Sequence, residues 1–258
     1  MTVLHEKISF PGSHGLLSGN LQIPEGEIRG GVVLAHCFTC SKAYKITRNL
    51  ATGIEAGGFA VLRFDFTGIG ESEGDFADTS VTTYVGDIEA AAQYMRQRGL
   101  GSCVMVGHSL GGAAVLLAAG KVPAVKAVVT VAAPATADHL RHVFTDRDVE
   151  HALATGSAEV KIAGRTFNIS AEFFHDLERH GTLDHVTALG RPLLVVHGTA
   201  DRIVAIEESE RIFAAARQPR WFAAIPTADH LFTKQDHVEK AARTIVGFLD
   251  AVLHSAKE

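Results

Sequence analysis

Hydrophobic and polar positions follow different patterns on the two sides of Pro24. Before it, residues at about 3–10 and 15–23 alternate between apolar and polar, which predicts an antiparallel pair of strands at a sheet edge. After it, apolar runs occur without alternation, as in strands that are buried on both faces of a parallel sheet. These runs are Val32–Leu34, Ala60–Leu62, Val104–Val106, Val128–Val129, Leu193–Val196 and Phe222–Ile225.

Helical patterns lie between these runs. Apolar residues recur every three or four positions in two clear stretches, Val81 to Met95 and Val238 to Val252. Strands that alternate with helices over about 220 residues indicate an α/β fold with right-handed crossovers. We therefore expect a mostly parallel sheet of about eight strands flanked by helices.

The stretch from about 136 to 190 interrupts this rhythm. It is rich in His, Asp, Glu and Arg, and it contains a predicted hairpin formed by Val160–Ile162 and Thr166–Ile169. We interpret it as an insertion over the C-terminal edge of the sheet. It is either a decorated loop or, the reading we favour, a small cap that shapes a substrate pocket.

Composition narrows the class of protein. The chain has 258 residues, 47% hydrophobic and 21% charged, which fits a single domain over residues 1–258. The formal net charge is −5 and Lys and Arg are not clustered, so we expect no nucleic acid partner and no membrane surface. Residues 1–20 lack a continuous apolar segment, and no stretch approaches ~18 apolar residues, so neither a signal peptide nor a membrane span is expected. The expected location is the cytoplasm, and the oligomeric state stays open.

Residues 107–111 read Gly-His-Ser-Leu-Gly and carry the strongest chemical signal. The strand-like Ser102–Val106 precedes them, and the helix-like Ala113–Leu117 follows. A serine at so tight a strand-to-helix turn needs small neighbours, and the turn leaves its Oγ exposed at the top of the sheet. A glycine-rich turn with an incidental serine is the alternative, and this context disfavours it. Ser109 is therefore the candidate nucleophile.

A serine hydroxyl needs a general base, and an acid must orient that base. On this type of sheet the chain order is serine, acid, histidine. His230 follows the last strand-like run and precedes the last helix, so we expect it at the same sheet edge as Ser109. Asp201 follows Leu193–Val196 at another strand end and is the predicted acid. Asp229 is its rival, but it adjoins His230, and adjacent side chains on an extended loop point apart.

Acyl transfer also needs donors for the oxyanion of the tetrahedral intermediate. We expect the backbone N–H groups of Leu110 and Phe38 in this role, the latter from the loop after Val32–Leu34. Cys37 and His108 are expected to line the substrate pocket.

Other residue clusters are weaker signals. Three cysteines do not indicate a disulfide framework, and the C-x-x-C spacing of Cys37 and Cys40 marks a redox pair, half a zinc site or, as favoured here, packing residues. His139 and His142 could ligate a metal but fit a solvated surface better. Residues 67–74 lack the spacing of a dinucleotide fingerprint. No cofactor and no metal are expected.

Several segments together resemble a known family: His36–Lys42, Arg63–Gly74, the Ser109 turn and Ala228–His230. Over nearly its whole length the chain is similar to the α/β-hydrolase superfamily. More closely, it resembles the hydrolase module that some bacterial proteins carry fused to an OsmC-like domain. The resemblance implies an α/β-hydrolase fold and cofactor-free hydrolysis of carboxylic esters by the same three residues.

The chain departs from that pattern in two ways. Many relatives have His-Gly where this chain has His36-Cys37, so a side chain there could narrow the acyl pocket. No OsmC-like segment follows, so a partnership with a peroxide-handling domain is not expected.

The first hypothesis is a carboxylesterase acting on small-molecule, short-chain acyl esters through an acyl-enzyme on Ser109. Peptidase, thioesterase and lactonase activities use the same triad and remain open, whereas a dehalogenase would need Asp at position 109. A ligand-binding module without catalysis is the hypothesis from another class, and the complete set of triad residues argues against it.

Overall fold

The computed structural model describes residues 4–100 and 103–254. Within them, eight strands form one sheet in the order β1-β2-β4-β3-β5-β6-β9-β10, and β7 and β8 form a separate hairpin. β1 is antiparallel to β2 and β2 to β4, while the remaining neighbours in the sheet are parallel. The strands are β1 Leu4–Gly12, β2 Gly15–Ile23, β3 Gly31–Ala35, β4 Ala60–Phe64, β5 Cys103–His108, β6 Val125–Val131, β7 Ser157–Ile162, β8 Arg165–Ser170, β9 Leu193–Gly198 and β10 Arg220–Ile225.

Helices cover both faces of this sheet. Neighbouring strand residues point to opposite faces, so Val32 packs in the hydrophobic cluster with α1 and α8, whereas Val33 packs in the cluster with α2 and α3. The helices are α1 Lys45–Ala56, α2 Val81–Gln97, α3 Leu110–Ala119, α4 Asp146–Thr155, α5 Ala171–Arg179, α6 Thr182–Ala188, α7 Ile206–Ala215 and α8 Gln235–His254, with short 3-10 helices at Phe76–Asp78 and Ala137–Val143.

The predicted α/β-hydrolase architecture is confirmed. Each apolar run identified above lies in a strand of the large sheet, and the alternating N-terminal segments form the antiparallel pair β1 and β2. The two predicted helical stretches correspond to α2 and α8. Ser102, with which the strand before the serine turn was expected to begin, lies outside the described residues.

The segment between β6 and β9 contains the 3-10 helix Ala137–Val143, helices α4 to α6 and the β7–β8 hairpin. Local sequence features determine where its helices and turns begin. Thr145 and Asp148 form a capping box at the start of α4, and the hairpin turns at Ala163-Gly164, both with positive φ. Its aromatic side chains pack toward the loop after β3, where the Phe173 ring stacks on Phe38 with 5.2 Å between centroids. That the segment acts as a cap stays a prediction.

None of the helices that the structure describes combines the length and the apolar content needed to cross a bilayer.

Candidate active site

Ser109 stands at a strained turn between β5 and α3. Its backbone has φ 55° and ψ −124°, a conformation that non-glycine residues rarely adopt. The turn is held by the Ser109 N–H, which donates to the Val131 carbonyl at 2.9 Å. A Cβ on Gly107 would lie 2.1 Å from the Gly111 carbonyl oxygen, and one on Gly111 would lie 2.5 Å from that of His36. The backbone packing at this turn therefore requires the two glycines that flank the serine.

The loops after β9 and β10 bring two further side chains to this turn. His230 Nε2 lies 3.2 Å from Ser109 Oγ, and His230 Nδ1 lies 2.8 Å from Asp201 Oδ2. A proton on Nδ1 donates to the carboxylate, which leaves the Nε2 lone pair facing the serine hydroxyl. The three residues chosen from chain order are thus joined in one series of hydrogen bonds.

The Asp201 carboxylate is fully buried and accepts from four donors. Its Oδ1 accepts from the backbone N–H groups of Ile203 and Val204 at 2.8 and 3.0 Å, and its Oδ2 faces His230 and also His197 Nε2, at 3.3 Å. Burial by itself raises the pKa of Asp201, but the hydrogen bonds from His197 and His230 outweigh it and hold the pKa well below its usual range. Asp201 is therefore a carboxylate with a fixed orientation.

His197 is a neighbour of this site that the sequence reasoning did not single out. Its ring is fully buried, with Nδ1 2.6 Å from Ser209 Oγ and Nε2 3.0 Å from the Val204 carbonyl. The signal was present, because His197 lies near the end of a buried strand, four residues before Asp201. Periodicity alone does not show which way such a ring turns.

Asp229, the rival acid, points away from His230. Its Oδ1 accepts the Thr233 N–H at 2.8 Å, and its Oδ2 accepts the Thr233 hydroxyl. This carboxylate orders the loop that leads into α8.

His108 does not line the cavity above Ser109, so that expectation was wrong. The side chain is 1% exposed and turns toward the histidine loop, where its Nε2 lies 2.9 Å from the His230 carbonyl oxygen. Burial, together with the nearby His230, lowers the pKa of His108 to about 3. The ring is therefore neutral near neutral pH, and the proton on Nε2 donates to the His230 carbonyl. A residue that leads into a strand-to-helix turn can face either side, and here the buried side prevails.

The loop after β3 is held rigidly on both sides of Phe38. On one side, Lys42 is buried with its ammonium between Asp65 and Glu71, and its backbone N–H donates to Asp65 Oδ1 at 2.6 Å. On the other side, the Phe38 ring packs among aromatic residues, and its carbonyl accepts the Tyr84 hydroxyl at 3.4 Å.

Both expected oxyanion donors are available at this loop and at the adjoining helix. The Phe38 N–H has no acceptor among the described residues. Leu110 is the first residue of α3, where N–H groups lack intrahelical acceptors.

Cys37 and Cys40 form a disulfide, with 5.3 Å between their Cα atoms. The expectation of two separate packing residues was therefore wrong. A turn explains their proximity, because the Cys40 N–H donates to the Cys37 carbonyl at 3.3 Å. Cys103 is a buried free thiol in β5, and burial raises its pKa to about 12.

A cavity of about 380 Å³ opens over Ser109 and His230. Cys37 and Phe38 border it on the sheet side, and the segment between β6 and β9 supplies apolar walls that include Leu140, Val143 and Ile162. His139 and His142 stand at its rim with ring centroids 5.4 Å apart. Among the described residues, no group of three or more His, Cys, Asp and Glu side chains is placed to hold a metal ion.

A family-wide sequence comparison fits this geometry. The sequence model described as "Serine aminopeptidase, S33" matches residues 26–235, which include all three residues of the hydrogen-bonded series. The chain belongs to the serine aminopeptidase S33 family of α/β hydrolases. The narrower resemblance to the hydrolase module of OsmC fusions stays a prediction.

Solved structures of similar proteins are known for this S33 hydrolase. The esterase domain of a Rhodothermus marinus protein is 33% identical, with a TM-score of 0.78 over 98% of this chain and 100% of that one. Est1E from Butyrivibrio proteoclasticus, seen with ferulic acid bound, has a TM-score of 0.83 over 96% and 99% of the two chains. At 21% identity, it shows the shared fold alone.

Two curated relatives of the S33 hydrolase match it over only part of their own length. The uncharacterised protein YfhR of Salmonella typhi is 30% identical over 66% of this chain and 54% of its own. The mouse mitochondrial palmitoyl-protein thioesterase ABHD10 is 29% identical over 60% and 53%. The chain thus spans about half the length of the curated relatives it matches.

Proposed function

We propose that this S33 hydrolase cleaves carboxylic esters of small molecules through an acyl-enzyme on Ser109. The observation that carries the proposal is the series Ser109–His230–Asp201, with hydrogen-bond distances of 3.2 and 2.8 Å. A hydroxyl facing an imidazole lone pair, itself oriented by a buried carboxylate, is the arrangement that makes serine a nucleophile near neutral pH.

The reaction follows from these positions. Ser109 Oγ attacks the ester carbonyl while His230 Nε2 takes its proton. The N–H groups of Phe38 and Leu110 hold the oxyanion, and His230 then protonates the leaving alcohol as the intermediate collapses. Water activated by His230 releases the acid and restores Ser109. The carboxylate of Asp201 stabilises the imidazolium in both steps.

The cavity dimensions support acyl groups of short to medium length. Its volume of about 380 Å³ lies near the lower end of the range for small-molecule sites. The Phe38 ring is 5% exposed and held against Phe173, so it forms a fixed wall. Rates on p-nitrophenyl esters of increasing acyl length should peak at or below about eight carbons, and a maximum at longer chains would contradict the proposal.

Thioester cleavage is a second candidate, favoured by the similarity to ABHD10, a palmitoyl-protein thioesterase. The same triad serves both bonds, so paired oxygen esters and thioesters with one acyl group would separate them. Higher kcat/KM on the thioester would favour the second candidate.

Covalent labelling tests the proposal directly. A fluorophosphonate probe should label the wild-type chain and fail to label Ser109→Ala, whereas Ser157→Ala, in the β7–β8 hairpin, should label normally. If the wild-type chain neither labels nor hydrolyses any activated ester, the proposal fails and a non-catalytic ligand-binding module takes its place.

A further inference from the structure

Arg202 stands beside the proposed acid at the rim of the cavity. It follows Asp201 in the loop between β9 and α7, it is exposed, and it is one of the residues that line the cavity over Ser109. It has no hydrogen bond or ion pair with any other residue that the structure describes. This guanidinium therefore has all its donors available to a bound molecule.

The cavity offers nothing to neutralise that charge. No Asp or Glu belongs to the described residues that line it, and Arg202 is its one permanently charged side chain there. Two nearby carboxylates already have partners. Asp201 has four donors, and Glu208 accepts the Ala135 N–H at 2.9 Å and pairs with Arg211 at 2.8 Å. Arg202 is consequently the charge that a ligand in this cavity meets directly, and it favours an anionic group.

Apolar surface lines the same cavity as Ser109 and this charge. Ile203 is 66% exposed and Val143 44% exposed, and both line the cavity together with Ile162. Exposed aliphatic side chains at a pocket rim suit the methylene groups of a ligand. A substrate that fits both features has an aliphatic chain with an anion at its far end.

A second cavity next to His230 offers separate space for the leaving group of such a substrate. It measures about 300 Å³ and borders His230, but neither Ser109 nor Phe38 lines it. The leaving oxygen receives its proton from His230, which lines both cavities, so the second cavity is open to the leaving group. Arg202 lines both cavities, but Asp229 lines only the second one, where its negative charge disfavours an anion. The larger cavity, which no Asp or Glu lines among the described residues, therefore suits an acyl group that carries a negative charge.

We propose that Arg202 binds a carboxylate at the far end of the acyl group, so that half-esters of aliphatic dicarboxylic acids are the preferred substrate class. This inference rests on the proposed esterase function and names its substrates. The planar guanidinium matches a carboxylate in a two-point contact, which a lysine ammonium does not reproduce.

The experiment compares mono-p-nitrophenyl adipate with p-nitrophenyl adipamate, which replaces the carboxylate by a neutral amide of the same shape. We expect kcat/KM to be roughly tenfold higher for the adipate at low ionic strength, and the ratio to shrink as salt is added. Arg202→Gln should bring the ratio close to one, and Arg202→Lys should give an intermediate ratio. Arg217→Gln is the matched control. It removes an exposed arginine that precedes β10, at the opposite end of the parallel strands from Arg202, and it should keep the wild-type ratio.

A second pair, 4-carboxyphenyl and 4-carbamoylphenyl hexanoate, places the same two groups on the leaving side. If Arg202 caused a preference for the 4-carboxyphenyl ester over the 4-carbamoylphenyl ester, and none for the adipate over the adipamate, the assignment to the acyl group would be overturned. A ratio near one in both pairs, with normal turnover, would overturn the role of Arg202 alone. If Ser109 is not labelled and neither pair is hydrolysed, the esterase proposal fails and this inference fails with it.

Discussion

Replacing Asp201 by Asn should separate activity from stability. The carboxylate accepts from His230 and His197 on Oδ2 and from two backbone N–H groups on Oδ1. An amide has a single acceptor atom, so it can satisfy only one of these sides. With its oxygen toward the backbone, the amide nitrogen donates to His230 Nδ1, and His197 keeps the Val204 carbonyl at 3.0 Å. Since this orientation keeps both backbone donors paired and costs His197 only its longer contact of 3.3 Å, we expect the variant to adopt it.

The cost of that orientation falls on His230. Its Nδ1 must become an acceptor, so the proton moves to Nε2 and points at Ser109 Oγ. A histidine in this tautomer cannot take the serine proton, and such an error lowers kcat by about 10³–10⁴-fold, or about 4–5.5 kcal/mol of activation free energy. The effect on stability is smaller, because the hydrogen bonds that remain only change from a charged acceptor to a neutral amide. We therefore expect the free energy of unfolding to fall by about 1–2 kcal/mol.

The assay is kcat on p-nitrophenyl acetate beside urea unfolding of the same preparations. Asp229→Asn is the matched control, since that carboxylate bonds to Thr233 and not to His230, and it should lower kcat less than about tenfold. A kcat for Asp201→Asn within tenfold of wild type would refute the tautomer argument. So would a larger loss in the control than in the variant.

Three further outcomes are expected. Gly111→Ala should lower the free energy of unfolding by about 3 kcal/mol in urea titration, because the new Cβ would lie 2.5 Å from the His36 carbonyl oxygen; a loss below about 1 kcal/mol would contradict this. His108→Leu should lower kcat/KM by roughly tenfold by freeing the His230 carbonyl, and His108→Gln, which keeps a donor, should recover part of it; equal losses in both would oppose a positioning role. Because the pKa of Asp201 is depressed in the folded chain, its carboxylate contributes its full stability above about pH 5, and the contribution falls as the pH drops below the unfolded-state pKa of about 4; the stability difference between wild type and Asp201→Asn should therefore stay constant from about pH 7 to 5 and shrink from about pH 5 to 3, and a difference that widens would contradict the sign.

The sequence was most informative where position along the chain determines position in space. In a parallel sheet the ends of successive strands meet at one edge, so the sites of Ser109, Asp201 and His230 followed from the buried runs that precede them. The need for small residues at the turn was equally predictable, since Gly107 and Gly111 face backbone atoms. These conclusions depend on the path of the backbone and not on side-chain direction.

The directions of side chains and the contacts between distant loops could not be predicted from the sequence. His108 and His197 both lie at or near the ends of buried strands, and the direction of each ring depends on a partner more than ten residues away along the chain. The Cys37–Cys40 bond depends on a local turn that the C-x-x-C spacing permits without requiring. The segment between β6 and β9 was recognised as an interruption, but its helices have short, irregular apolar stripes that periodicity does not resolve.

That segment leaves the large sheet after Val131 and returns to it at Leu193, and β6 and β9 are neighbours in the sheet. Both junctions therefore belong to adjacent strands, while Ser109, Asp201 and His230 all lie outside the inserted stretch. Its polar tie to the loop after β3 includes the Arg165 guanidinium, which donates to the Thr39 carbonyl at 2.9 Å. The insertion is consequently a natural unit for recombination: exchanging it for the equivalent stretch of a homologue, with Phe173 and Arg165 retained as anchors, offers a route to new substrate ranges on an unchanged catalytic frame.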